Sequence, residues 1–355
     1  MNARLGQVVL VLPGGGALGA YQAGVYEALS STGFEPDWVI GTSIGAINAA
    51  LIAGNVRGRR VDQVRAFWER VGQSASPGRW SIVANGVPAF FTPRMRGFLD
   101  PCANLGLDEA SYYSTEPLRR TLNDLVRPDL FGRRGNPRIT VGAVGVRSGS
   151  MTYFDSDRIR IGIDHVMASG ALPPAFPAVR IDGEAYWDSG VYSNTPIEPV
   201  FDDCPRRSSL VFAVNVWQPR AAEPRSIWEV MSRQKDIQFA SRADAHIEQQ
   251  RKLHRMRRML QTLAAHVPQS IDRIPRWADI APHACDTTIH VVRLLVPARQ
   301  GEDMFQDIDF GRRGIRERWT AGREDALQAI ERAPWNDAFD PLDGVVVHES
   351  SASRD

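Results

Sequence analysis

Lysine is nearly absent from this chain of 355 residues: Lys235 and Lys252 are the only two, and arginine carries the basic side. Acids balance that arginine to a formal net charge of +1, so the bias is compositional, and nucleic acid is not an expected partner. Cysteine is scarce too. Cys102, Cys204 and Cys285 are odd in number and far apart, which excludes a disulfide framework and zinc-ligand spacing and predicts a reducing compartment. No apolar run reaches 18 residues, so no spanning helix is expected. The short run ending at Leu12, with Arg4 before it, is too brief for a secretory signal. These absences predict a cytoplasmic protein, with contact at a membrane surface left open and oligomeric state unspecified. What is plentiful is apolar side chain, at 43%, enough for a sizeable core in one large domain or two.

The organising stretch is Val39-Ile40-Gly41-Thr42-Ser43-Ile44-Gly45-Ala46. Trp38 to Ile40 reads as a buried strand, and Ile44 to Ala53, small, apolar, uncharged and free of proline, reads as a helix. Between them lies a G-x-S-x-G whose glycines, Gly41 and Gly45, let the chain turn sharply and leave room around Ser43. The start of the helix beside that hydroxyl favours negative charge. The competing reading is a tight turn with a capping serine.

Upstream, Gln7 to Leu12 is a second buried-strand pattern, followed by Pro13-Gly14-Gly15-Gly16-Ala17-Leu18-Gly19 and a helix from Ala20 to Ser30. The succession of strand, glycine loop, helix, strand, serine turn and helix predicts a parallel α/β sheet. Gly14, Gly16 and Gly19 also fit the dinucleotide fingerprint, the basis for a nucleotide-binding oxidoreductase as a remote alternative. That reading wants an acid at the end of the second strand, where the serine turn stands. The other reading makes Gly14, Gly15 and Gly16 an oxyanion hole, their N–H groups unobstructed by side chains; one such donor is worth about 3–4 kcal/mol. A plain glycine-rich turn is the third.

Helices are expected over Arg57 to Val71, Thr115 to Val126 and Ile163 to Ser169, and strands over Arg138 to Val146 and Leu210 to Val216, with Ser150 to Phe154 as a hairpin partner. The segment from Ser74 to Leu107, with Trp80, Phe90, Phe91 and Phe98, is long for a connection and reads either as a partly helical flap offering apolar surface to an acyl chain or as an ordinary packed insertion. Beyond residue 218, Ser226 to His266 reads as one long helix and Ile289 to Val296 as a strand at the sheet's edge. Phe310 to Ile330 holds a further helix. Lys252 to Arg258 is a basic run, read either as a membrane-surface contact or as a solvated helix face. The division expected is 1–218 as catalytic domain, 219–340 as a mainly helical extension and 341–355 as a disordered tail.

Four blocks resemble the patatin-like phospholipase family: Gly14 to Gly24, Gly41 to Ala46, Ala168 to Pro177 and Asp188 to Pro196, in order over about the first 215 residues. The region around Asp309-Phe310-Gly311, Trp319 and Gly322 resembles an extra C-terminal region found on some bacterial members. The resemblance implies a three-layer α/β/α sandwich and a serine–aspartate lipid acyl hydrolase. It needs no cofactor or metal and acts on a lipid or other carboxylic ester. It would make Ser43 the nucleophile and Asp188 the base, with Gly14, Gly15 and Gly16 lining the oxyanion hole. Pro13 stands where the family often has aspartate, and Ser189 where glycine is usual; a serine would be strained there if the position needs positive φ. This departure motivates a second alternative, a catalytically weak lipid-binding or regulatory protein on the same fold. His165 is the one histidine near a matched block, expected to be packed or solvent-facing rather than the base. Asn48 and Asn194 are expected to orient loops, and Asp155, Asp157, Asp182 and Asp202 are acids without a comparable glycine context.

Overall fold

The computed structural model describes residues 6–73, 79–266, 283–297 and 305–349. Its centre is a nine-stranded sheet. The strands are β1 (Gln7–Leu12), β2 (Trp38–Gly41), β5 (Arg138–Gly145), β6 (Met151–Asp155), β7 (Val179–Ile181), β8 (Glu184–Asp188), β9 (Ser209–Asn215), β10 (Ile289–Leu295) and β11 (Val345–Glu349). Two short strands, β3 (Thr92–Pro93) and β4 (Tyr113–Ser114), pair apart from it. The order is β11-β10-β9-β1-β2-β5-β8-β7, with β6 also on β5. From β11 to β5 every pairing is parallel; β5 with β6, β5 with β8 and β7 with β8 are antiparallel.

The continuous apolar strands follow from burial on both faces. Successive side chains of β1 alternate: Leu10 and Leu12 enter one core, Val9 and Val11 the other. The first core is closed by α1 (Gly19–Thr32), α2 (Ile44–Ala53), α3 (Arg60–Val71), α6 (Glu116–Leu125), α7 (Ile163–Ser169) and α10 (Arg312–Arg332). The second is closed by α8 (Glu198–Asp202) and the 40-residue α9 (Ile227–His266), through Val200, Phe201 and Ile247. This is the expected three-layer α/β/α sandwich with a mostly parallel sheet.

The C-terminal part is mainly helical and supplies the strand expected over Ile289 to Val296, but that strand is not the edge: β10 lies against β9 over Ile289 to Leu295, and β11 lies against β10, so the sheet is completed by residues far beyond 218. Helix α10 packs along α1. The two approach so closely that an added Cβ at Gly24 would fall 1.9 Å from the Trp319 carbonyl oxygen, and one at Gly322 2.0 Å from that of Tyr21. The tail expected from 341 is ordered through Glu349. Three β-branched valines, Val345 to Val347, outweigh the polar residues after them once a strand edge is on offer. Residues 350–355 lie outside the described residues.

The Lys252 to Arg258 run is largely occupied within the fold. Arg255 pairs with Asp343 at 2.8 Å and Asp340 at 3.2 Å, and Arg258 donates to the carbonyls of Asp286 and Thr287. No helix among the described residues is long and apolar enough to cross a membrane.

Candidate active site

Parallel strands end together, and the glycine loop after β1 and the serine turn after β2 therefore meet at one edge of the sheet. The turn is tight: Thr42 N–H bonds the Leu12 carbonyl at 3.0 Å, and Gly45 N–H bonds Thr42 at 2.8 Å. A side chain at Gly45 would put its Cβ 2.1 Å from the Leu12 carbonyl oxygen, and one at Gly41 would meet the Gly45 carbonyl at 2.4 Å. That crowding is why both positions are glycine. Ser43 itself adopts φ 55°, ψ −122°, outside the ordinary regions for a residue with a side chain. Such a conformation costs about 1–3 kcal/mol and persists where surroundings enforce it. Here the Ser43 N–H donates to the Ser169 hydroxyl at 3.1 Å, which ties the turn to the end of α7.

Asp188 closes β8, two strands away from the serine turn, and its N–H is held by the Ala171 carbonyl at 3.0 Å. Its carboxylate is buried and accepts the Gly190 N–H at 2.7 Å. Burial pushes the Asp188 pKa up to about 7, against the hydrogen bonds from the Ser43 side chain and the Gly190 N–H, which hold it down. The serine at 189 is not strained: no positive φ occurs there, and its buried hydroxyl bonds Thr42 Oγ1 at 3.1 Å.

The glycine loop narrows the expectation made for it. Gly14 N–H is committed to the Asn194 carbonyl at 3.3 Å, so it is no free donor. Among the described residues, the N–H groups of Gly15 and Gly16 have no acceptor. Gly14 lies directly over the serine, since a Cβ built on it would sit 3.1 Å from Ser43 Cβ.

These groups line one cavity of about 240 Å³. Most of its remaining wall is apolar: Ile44, Ile47, Ile82, Val83, Leu172 and a cluster of Phe90, Phe91, Tyr113, Phe176 and Phe310 in mutual ring contact. The expected flap thus contributes through α4 (Arg79–Asn85) and the phenylalanines after it; residues 74–78 lie outside the described residues. Among the described residues, no lysine or arginine lines it.

Several lining residues were not anticipated. Trp217 stands two positions past the end of β9. Phe239 comes from α9, and Asp307, Ile308 and Phe310 from the segment before α10. The Asp307 carboxylate is paired with Lys235 at 2.8 Å, and a Cβ on Gly16 would come within 2.1 Å of the Asp307 carbonyl oxygen. The C-terminal region therefore walls the site, where the sequence offered no chemistry for it. An aromatic just past a buried strand at the sheet's functional edge was a usable signal for Trp217; the others carry none.

The remaining candidates are structural. His165 accepts the Gly162 N–H at 3.0 Å and packs on Phe154, which places it at the start of its own helix. Asn48 bridges the Gly19 carbonyl, Gln22 and Trp68. Asp155 and Asp157 pair with Arg138, and neither Asp182 nor Asp202 lines the cavity.

Comparison with known proteins agrees with the layout. A family model described as a patatin-like phospholipase matches residues 10–201, and a second, described as a patatin phospholipase, matches 237–342. The uncharacterized protein YqhO of Bacillus subtilis (strain 168) is 28% identical over 203 residues, covering 53% of this chain and 64% of its own. Human patatin-like phospholipase domain-containing protein 6 is 25% identical over 191 residues, 54% of this chain and 12% of its own. The chain thus spans less than two thirds of the length of these curated relatives. Among solved structures, VipD from Legionella pneumophila has a TM-score of 0.43 at 14% identity, covering 93% of this chain and 67% of that one.

Proposed function

The chain belongs to the patatin-like phospholipase family, and we propose that it hydrolyses a carboxylic ester of a lipid through an acyl-enzyme on Ser43 with Asp188 as the base. One observation carries this reading: a serine in an enforced turn and a buried carboxylate line the same largely apolar cavity, and the Ser43 side chain is among the groups that hold the Asp188 pKa down against its burial. A serine hydroxyl is a weak nucleophile until a base takes its proton, and Asp188 is the acceptor within reach.

In the first half-reaction the Ser43 hydroxyl proton passes to Asp188 as Oγ attacks the ester carbon. The new oxyanion is held by the Gly15 and Gly16 N–H groups. Collapse breaks the ester C–O bond, and the leaving alkoxide takes the proton from Asp188. Water then gives its proton to Asp188 and attacks the acyl carbon. Collapse releases the acid, and the proton returns to Ser43. The net reaction is ester plus water to acid plus alcohol. A cavity lined largely by apolar side chains suits the acyl chain. The alternative of an inactive protein on this fold draws no support from Ser189, which is unstrained.

Intact-mass analysis and peptide mapping after treatment with a lipid-like fluorophosphonate test the reading. A single adduct on Ser43, absent from Ser43→Ala, is the expected result; a folded protein that takes up no reagent would count against it.

The base must be ionised to accept a proton, so pH dependence follows from the raised Asp188 pKa. With a soluble ester, kcat/KM is expected to rise about tenfold per pH unit at acid pH and to level off above about pH 7. A profile flat down to pH 5 would show that Asp188 is not the group that must be ionised.

A further inference from the structure

We propose that Asn194 and Trp217 are positioning residues that aim the oxyanion hole by gripping the carbonyl of Gly14. The inference rests on the hydrolase reading above and assigns two residues to it. The Gly14 carbonyl oxygen accepts two buried hydrogen bonds, from Trp217 Nε1 at 2.8 Å and from Asn194 Nδ2 at 3.1 Å. The Gly14 N–H is held by the Asn194 backbone carbonyl, so Asn194 grips both polar groups of one glycine.

A trans peptide is planar, with its carbonyl and the following N–H pointing in opposite directions. Fixing the Gly14 carbonyl toward Asn194 and Trp217 therefore fixes the Gly15 N–H away from them. That N–H has no acceptor among the described residues, and its residue lines the cavity beside Ser43. Glycine needs such a clamp: with no Cβ, the Gly14–Gly15 peptide could otherwise rotate among several orientations at little cost. An oxyanion hole works because its donors are already aimed when charge develops.

Both grips are themselves anchored. Trp217 packs against Phe239 of α9 at 4.9 Å between ring centroids, the rings tilted by 37°. Asn194 lies on the turn that carries Asp188, and its Oδ1 approaches within 3.1 Å the position a Cβ on Gly190 would take. The base and the oxyanion donors are thus set from one turn.

The test uses Trp217→Phe, which keeps a ring against Phe239 but removes the N–H, together with Asn194→Ala and the double variant. Each single variant leaves one donor on the carbonyl, so kcat for a soluble ester is expected to fall about 10-fold; in the double variant it falls roughly 100-fold, approaching loss of one oxyanion donor. KM is expected to stay within about twofold, because phenylalanine keeps an apolar ring at 217 and the aromatic cluster of the wall is unchanged. The rate of phosphonylation of Ser43 should fall in parallel. The amide proton of Gly15 should move downfield on phosphonylation in the native protein and not in the double variant. Should the variants lose their fold, the Trp217→Phe protein alone, judged by its melting transition and the Gly15 shift, decides the matter. Native-like kcat and labelling rates in a folded double variant would overturn the clamp while leaving the hydrolase reading intact. A native protein that neither labels nor hydrolyses would overturn both.

Discussion

Asp188→Asn is expected to lower kcat by roughly 10²–10⁴-fold, the usual worth of a general base, and at the same time to make the protein more stable above neutral pH. The two effects have one origin. Asparagine keeps the shape and can still accept the Gly190 N–H, so the turn after β8 should hold. It cannot take a proton from Ser43. The stability effect follows from the carboxyl's pKa, which burial raises from 3.8 to about 7. Between those values the folded protein holds a proton that the unfolded chain has released. Folding is therefore favoured at low pH, and that advantage is lost as pH rises through about 7. Above pH 7 the ionised, buried group costs at most about 4 kcal/mol relative to pH below 4. Asparagine escapes that cost. Thermal melts at pH 8 and pH 5 check this: Asp188→Asn should exceed the native protein at pH 8, and the gap should shrink at pH 5. Equal melting temperatures at pH 8 would mean the carboxylate is not held at a cost, and would weaken the case for Asp188 as a tuned base.

Gly322→Ala is expected to destabilise the protein by about 2–3 kcal/mol, the range for forcing an extra methyl into a packed core. The reason is backbone against backbone. Gly322 on α10 meets the Tyr21 carbonyl of α1, and Gly24 on α1 meets the Trp319 carbonyl of α10, with the added Cβ atoms falling 2.0 and 1.9 Å from those oxygens. Neither contact can be relieved by turning a side chain; the helices must separate. Separation stretches the Tyr21 hydroxyl bond to Asp325, now 2.8 Å, and the Trp319 indole bond to Glu27. A fall in Tm of roughly 3–4 °C by calorimetry is the expected reading for a chain of this size. An unchanged Tm would mean that the two helices stand further apart than described.

The first half of this architecture was legible because its signals are local. A continuous β-branched run such as Gln7 to Leu12 is a buried parallel strand on composition alone, and the G-x-S-x-G between strand and helix fixed where Ser43 would sit. Asp188 was legible through the resemblance of its block, since nothing in periodicity distinguishes it from Asp155. What stayed hidden depends on distance. Nothing local shows that the Asp307 carbonyl lies on Gly16, or that Lys235 reaches Asp307 from α9. The commitment of the Gly14 N–H to Asn194 likewise separates one glycine from its two neighbours by a contact 180 residues away. Val345 to Val347 was misjudged because three valines form a strand only when an edge such as β10 is there to receive them.

The wall contributed by Asp307, Ile308 and Phe310 has a consequence for synthesis. A chain still on the ribosome with its first 218 residues exposed already carries Ser43 and Asp188, yet the cavity around them lacks one side and β9 lacks the neighbour it has in β10. Domains fold as they emerge, and the helix that seats against α1 lies far along the chain. On the hydrolase reading, a chain that has emerged only to residue 218 is therefore expected to be inert, because its cavity still lacks the wall from Asp307, Ile308 and Phe310.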